Sequence, residues 1–311
     1  MDPFVPLTIN DKEIIDPYLK SSDKTGSEYS FSTLYMWSEI FHTFHNIIQT
    51  ENDSLLVIRS RKDENTPYHY LYPLSKKGSV PPLTALTVME RLSENQPFLL
   101  GGLSGREAEM LESEFPERLN IEPVRDSFDY IYDINDLAHL KGKKLQSKRN
   151  HLNAFLRTYP HFEFLPVTDA DIADCLVMND EWCRIMGCIY DLGMEEEICA
   201  VHRAFRAYKF LELEGFMIKL DGKIIAYTLG EPYKKDTYLV HVEKAFPEYR
   251  GAYQVINQLM VKYVMENYPG VKYINREDDA GDNGLRHAKM SYRPVKLLEK
   301  FMTKITPQAI P

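Results

Sequence analysis

The stretch HVEKAFPEYRGAYQVINQLMVKYV, residues 241 to 264, changes its period partway along. Its first residues continue TYLV as an alternating strand, with Val240 and Val242 on one face and His241 and Glu243 on the other. From Ala252 onward the apolar residues recur at helical spacing. Arg250, Gly251 and Ala252 stand at the join. Two small residues at a helix N-terminus let an anion approach unpaired backbone N–H groups, and the helix dipole adds partial positive charge. With Arg250 beside it, the turn is expected to cradle a phosphate. The plainer alternative is a strand–helix turn in which glycine only relieves strain.

Upstream, GFMIKLDGKIIAYTLGEP carries Asp221-Gly222 between two alternating runs, a hairpin signature. Downstream come VKYINRE, a strand, GDNGLRHAKMSY, a short helix, and PVKLLEKFMTKI, a closing strand. The region before residue 138 keeps a similar rhythm. SEYSFSTLYMWSEIFHTFH and PPLTALTVMERLSEN read as helices, SLLVIRS, YHYLYPL and FDYIYDI as strands, and PFLLGGL as a strand running into a glycine turn. SGREAEMLESEF opens with Ser104 and has Glu107 three residues on, a capping box. The pattern predicts an α/β (α+β) protein of two domains, 1–138 and 139–311.

The chain has 311 residues, 44% hydrophobic and 12% aromatic, enough for a sizeable core. Acidic residues outnumber basic ones by nine, which argues against a protein that coats long nucleic acid but leaves room for a local basic patch. Cys175, Cys183, Cys188 and Cys199 include no CxxC pair. They read as buried thiols of a reducing compartment, and a zinc site from Cys183, Cys188, Cys199 and His202 is weighed and set aside. No metal is expected. The N-terminus lacks the basic and apolar regions of a signal peptide, and no run is long enough to span a membrane. The expected location is the cytoplasm, which is compatible with peripheral membrane attachment. HExxH, GxSxG and P-loop motifs are absent.

Three further clusters could carry chemistry. Between Asp136 and Glu163 there is no acidic residue, and the helix KKLQSKRNHLNAFLRTYP places Lys144, Lys148 and His151 along one edge of its apolar stripe and Arg149 on the other. These cations fit a phosphate ligand, or a solvated face that serves solubility. In YINREDDAGDNGLRHAKMSYRP, Asn275 and Glu277 share a face at the end of a strand, and Arg286, Lys289 and Arg293 share one side of a helix beside Tyr292. Trp182, Met186 and Tyr190 could line an acceptor pocket, although packing into the core explains them equally.

The order of hairpin, strand, small-residue turn, helix, strand, helix and strand resembles the acyl-CoA half of the GNAT superfamily. The EYRGAYQ turn resembles a reduced form of that family's phosphate loop, with its last small position at Ala252 or Tyr253. A second resemblance is more specific. FSTLYMW, KGKKLQSKRNHLNAFL, DGKIIAYTLGE, EKAFPEYRGAYQVINQ and YINREDDAGDNGLRHAKMSYRPVKLLEKF together resemble the C-terminal domain family of phosphatidylglycerol lysyltransferases, relatives of the Fem-type aminoacyl transferases. The resemblance implies two tandem GNAT-like acyltransferase domains with a central cleft. It also implies aminoacyl-tRNA, or alternatively acyl-CoA, as co-substrate, no permanently bound cofactor, and a small-molecule, peptide or lipid acceptor. Arg250, Gly251, Ala252, Tyr253, Lys144, Lys148, Arg149 and Lys289 would hold the donor. His241 or Glu243 would take the acceptor's proton, Tyr292 would protonate the leaving oxygen, and Asn275, Glu277 and Trp182 would line the acceptor side. A non-catalytic binding module on a transferase scaffold is the alternative from another class.

Overall fold

A computed structural model describes residues 4–51, 53–94, 96–116, 119–188 and 191–306. The chain forms two compact units, 1–128 with 298–311, and 129–297. The first contains β1 (Val5–Pro6), α1 (Lys12–Ser21), α2 (Phe31–Trp37), β2 (Phe44–Gln49), β3 (Ser54–Ser60), β4 (His69–Leu71), β5 (Leu74–Ser75), α3 (Pro82–Leu92), β6 (Phe98–Leu103), α4 (Gly105–Glu114) and β7 (Glu122–Pro123). The second contains β8 (Asp129–Asp133), α5 (Ile134–His139), α6 (Gln146–Thr158), β9 (Glu163–Pro166), α7 (Ile172–Met186), α8 (Leu192–Arg206), α9 (Tyr208–Leu211), β10 (Glu214–Leu220), β11 (Lys223–Lys234), β12 (Thr237–Ala245), α10 (Ala252–Asn267), β13 (Tyr273–Asn275), α11 (Asn283–Met290) and β14 (Lys296–Leu298). The last strand, β15 (Phe301–Ile305), belongs to the first sheet.

Strand order in the first sheet is β1-β2-β3-β4-β6-β15-β7, with β5 also on β3; in the second it is β14-β8-β13-β12-β11-β10-β9. The expected division at 138/139 differs from this at both ends. FDYIYDI, read as the end of the first half, is β8 and pairs with β13. The expected closing strand is two strands, β14 in one sheet and β15 in the other, where it pairs with β6 and β7. Strands near the end of each half thus complete the other half's sheet, and alternation alone does not name a strand's partner.

β4 pairs with β6 and β12 with β13 in parallel, whereas β2–β3 and β6–β15 in the first sheet and β8–β13, β11–β12 and β10–β11 in the second are antiparallel. The predicted hairpin joins β10 to β11, with Asp221 at φ +50° and Gly222 at φ +82°, the two left-handed positions of a type I′ turn. In the second unit α10 packs on β10, β11 and β12, and α7 packs on β11 and β12. Glu243 meets α10 through Asn257, whereas Tyr227, of opposite parity in the ladder, meets α7 through Asn179. The two helices therefore cover opposite faces of the sheet. Buried Phe205, Tyr227, Leu229 and Met178 fill the space on the α7 side.

Candidate active site

β12 and β13 are paired for only three residues, Thr237 to Leu239 against Tyr273 to Asn275. Beyond that point β12 runs on to Ala245 with β11 as its ladder partner, while Arg276 and Glu277 stay with β8 through backbone bonds to Tyr130. The strands part, and a wedge opens between them. A bulge helps cause the parting. Leu229 faces Val242 and Gly230 faces Val240, which leaves His241 as the extra residue on β12. A bulge twists a strand and re-aims its side chain. The strict alternation expected for Val240 to Glu243 is broken there.

Side chains from both strands bridge the wedge. His241 is enclosed between two carboxylates, with Nδ1 2.9 Å from Glu277 and Nε2 3.1 Å from Glu231. Burial alone would lower the ring's pKa. The hydrogen bonds and charges of the two glutamates outweigh it and raise the pKa to about 10. At neutral pH both ring nitrogens carry protons and both donate, so His241 cannot serve as a general base. Glu243 accepts from Arg276 Nη2 at 2.8 Å and from Asn257 Nδ2 at 2.9 Å. Arg276 lies 5.1 Å from the centre of the Tyr292 ring, and Lys148 Nζ lies 4.2 Å from the same ring. Tyr292 is buried, crosses Tyr132 edge-on at 6.5 Å and bonds to the Gln254 side chain. Its burial pushes the phenol up to about 12, against the opposing pull of Arg276.

Glu243, Tyr292 and Lys148, separated by up to 144 positions, thus meet around Arg276, which sequence reading did not single out. Its only signal was its place one residue past the end of a strand that parts from its neighbour.

Several expected donor ligands are occupied elsewhere. Gly251 is left-handed at φ +99° and buried, and a Cβ there would run into the His151 carbonyl oxygen and the Phe155 Cβ. Ala252 is buried as well, and its N–H donates to Tyr249 O at 2.9 Å. The α-carbon side of Gly251 is covered by α6, and of the amides expected to face a phosphate the Ala252 N–H is already taken. Arg250 remains exposed, with its Nε 3.3 Å from His151 Nδ1. Tyr253 accepts from Trp182 Nε1 at 3.0 Å, and Trp182 is buried under Lys244, so this pair packs the interior instead of lining an acceptor pocket.

Arg149 donates to the carbonyls of Leu140 and Gly142, which fastens the turn after α5. Lys289 is buried and donates to the carbonyls of Arg276, at 2.7 Å, and Asp278. Together with the Arg286–Asp279 ion pair it fixes the loop that carries Arg276 and Glu277. It is a brace, not a donor ligand. Asn275, fully buried, donates to Asp129 and accepts from the Glu277 N–H at 2.8 Å, holding Glu277 at φ +55°. Lys144 is exposed. Tyr190 lies outside the described residues. Among the described residues no His/Cys/Asp/Glu group could hold a metal ion, and no helix is long and apolar enough to cross a membrane.

Comparison with known proteins now bears on this wedge. The family model for the C-terminal region of phosphatidylglycerol lysyltransferase matches residues 19–304. The chain belongs to that family. A crystal structure of a conserved protein of unknown function from Bacteroides thetaiotaomicron is 36% identical, with a TM-score of 0.87 over 98% of this chain and 100% of that one. L-PGS from Bacillus licheniformis is 12% identical, with a TM-score of 0.64 over 94% of this chain and 91% of that one. A tandem GNAT protein from the clavulanic acid biosynthesis pathway is 9% identical, with a TM-score of 0.54 over 98% of both chains. The last two show the fold, two GNAT-like domains in tandem.

Proposed function

We propose that this chain transfers an aminoacyl group from aminoacyl-tRNA to an amine or hydroxyl acceptor, with the chemistry in the wedge between β12 and β13. The observation that carries the reading is the parting of these strands over Glu243, Arg276 and Tyr292. Membership of a transferase family supports it. Past Leu239 the β13-facing edge of β12 has no ladder partner among the described residues, and its N–H groups are the donors for the oxyanion of an acyl-transfer intermediate. Glu243 keeps one lone pair on each oxygen beyond its bonds to Arg276 and Asn257, and it receives the acceptor's proton. Tyr292, a neutral phenol at working pH, protonates the departing ribose oxygen. His241 instead keeps Glu231 and Glu277 in place across the wedge.

The Ala252 N–H is taken by Tyr249, which removes one of the amides a pyrophosphate would grip and weighs against acyl-CoA as donor. The test incubates the purified chain with labelled aminoacyl-tRNA pools and fractionated acceptors, alongside acetyl-CoA calorimetry. Label is expected to leave tRNA for an amine or hydroxyl compound, with no acetyl-CoA binding at micromolar concentration. Tight acetyl-CoA binding without discharge of any aminoacyl-tRNA overturns the reading.

A further inference from the structure

The four cysteines are not equivalent once folded. Cys175 is buried near the start of α7, and Cys199 is exposed on α8. Cys183 and Cys188 stand on either side of the cap that ends α7. Gly187 is left-handed there, at φ +75°, and its N–H bonds to the Cys183 carbonyl. Such a cap turns the chain back, so the residue after the glycine packs against the residue four positions before it. Here those two residues are Cys188 and Cys183, and their thiols are hydrogen-bonded to each other. Cys183 is half-buried and open to small reagents, whereas Cys188 lies behind it with 1% of its surface exposed. Burial first, and then the bond to Cys183, push the Cys188 thiol up to about 12, and the Lys244 ammonium opposes that rise. One accessible sulfur in contact with one sheltered sulfur is the arrangement of an attacking and a resolving thiol.

We propose that Cys183 and Cys188 are a peroxide-reactive pair that closes to a reversible disulfide across the cap of α7. This holds whether or not the chain transfers aminoacyl groups. Cys183, as its thiolate, attacks one oxygen of hydrogen peroxide. The O–O bond breaks, hydroxide leaves and takes up a proton as water, and Cys183 becomes a sulfenic acid. The Cys188 sulfur then attacks the Cys183 sulfur. The S–O bond breaks, and the hydroxyl leaves as water with the Cys188 proton. Two thiols and one peroxide thus give one disulfide and two waters. The bridge spans only residues 183–188, so it gains little from loop closure, and a thiol reductant reopens it. Trp182 adjoins Cys183 in sequence and is one of the chain's two tryptophans, which gives the bridge a reporter. Its ring lies 3.6 Å from Lys244 Nζ, and its Nε1 bonds to Tyr253, so it is held in place beside the pair.

The test treats the purified full chain with hydrogen peroxide, removes the excess, alkylates free thiols in denaturant and maps the peptides by mass spectrometry. The expected product is a Cys183–Cys188 bridge, lighter by two hydrogens than the dithiol and absent after treatment with a thiol reductant, while buried Cys175 is alkylated as before. Trp182 fluorescence should fall as the bridge forms and recover on reduction, over a constant background from Trp37 in the first unit. Cys188→Ser should stop at the Cys183 sulfenic acid, captured by dimedone, and should lose the reversible change in fluorescence. Cys183→Ser should leave Cys188 reduced at the same dose. The wild-type map decides the matter even where a variant fails to fold. Alkylation of both Cys183 and Cys188 at a peroxide dose that oxidises exposed Cys199 overturns the proposal. A disulfide that joins Cys199 to either of them, in place of the Cys183–Cys188 bridge, overturns it as well.

Discussion

The two units carry the same strand device and fill it differently. In the first, β4 runs parallel to β6 for three residues, His69 to Leu71 against Leu99 to Gly101, and the chain then leaves β6 to continue as β5 on β3. In the second, β12 does the same against β13. Counting on from the last paired residue, Arg276 and Glu277 of the second unit correspond to Gly102 and Leu103 of the first. The first wedge therefore has no charged side chain at these positions. Lys24 reaches in instead, paired with Glu107 and set 4.8 Å from the Tyr72 ring and 4.9 Å from Tyr29. Lys300 is paired with Glu28 at 2.6 Å beside a shallow pocket lined by Lys24, Tyr29 and Gly102. Here each buried cation has its own carboxylate. In the second wedge Arg276 is paired with Glu243, and His241 is held between Glu231 and Glu277. The helix that follows differs too, for α3 begins with Pro81-Pro82, which supply no N–H, and α10 begins at a glycine covered by α6. The same backbone parting holds two separate ion pairs in one unit and a linked network of charges around a buried histidine in the other.

The comparison breaks most sharply at its central cations. Arg276→Met leaves Glu243 without its ion pair, and Lys24→Met does the same to the half-buried Glu107. Each should cost about 3–5 kcal/mol in denaturant melts. Where both fold at low temperature, only the Arg276 variant should lose transfer. Gly251→Ala tests whether that turn is scaffold or donor site. A left-handed alanine pressed on His151 should cost about 2–4 kcal/mol, with the donor's KM unchanged in the folded fraction. A specific rise in KM would restore the cradle.

The pH dependence follows from His241. Its folded pKa, about 10, lies above the unfolded value of about 6.5. The stability it contributes is thus complete below pH 6.5 and is lost as pH rises from there through 10. Glu277→Gln should bring the ring's NMR titration down toward neutrality and flatten the alkaline loss of stability, while the matching melt with Glu107→Gln should keep the alkaline slope. The smallest effect belongs to Lys144→Ala, within about 0.5 kcal/mol in stability because the side chain is exposed.

Much of the second unit was legible in the sequence, because Asp221-Gly222, the alternation in TYLVHVEKA and the amphipathic α10 are local signals. The family was legible too, through the density of polar groups in YINREDDAGDNGLRHAKMSY. The site was less so. Glu243, Tyr292 and Lys148 were named, but Arg276, which joins them, takes its meaning from where β12 and β13 part, and register is a non-local property. The glycine of the opening stretch was legible as a required small residue, but what it packs against was not. It makes room for α6, a helix about 100 residues earlier in sequence. His241 was read as a base because a lone histidine on a strand shows nothing of Glu231 and Glu277, which the fold brings to both its nitrogens.

The central claim is that transfer occurs in the second wedge and not the first. The rate at which wild type, Lys148→Met and Lys24→Met discharge labelled aminoacyl-tRNA onto an acceptor, measured at a temperature where all three are folded, tests it most directly. Discharge by wild type and Lys24→Met, with Lys148→Met slower by about tenfold, is the predicted result. Equal rates for Lys148→Met and wild type, or a selective loss in Lys24→Met, would contradict it.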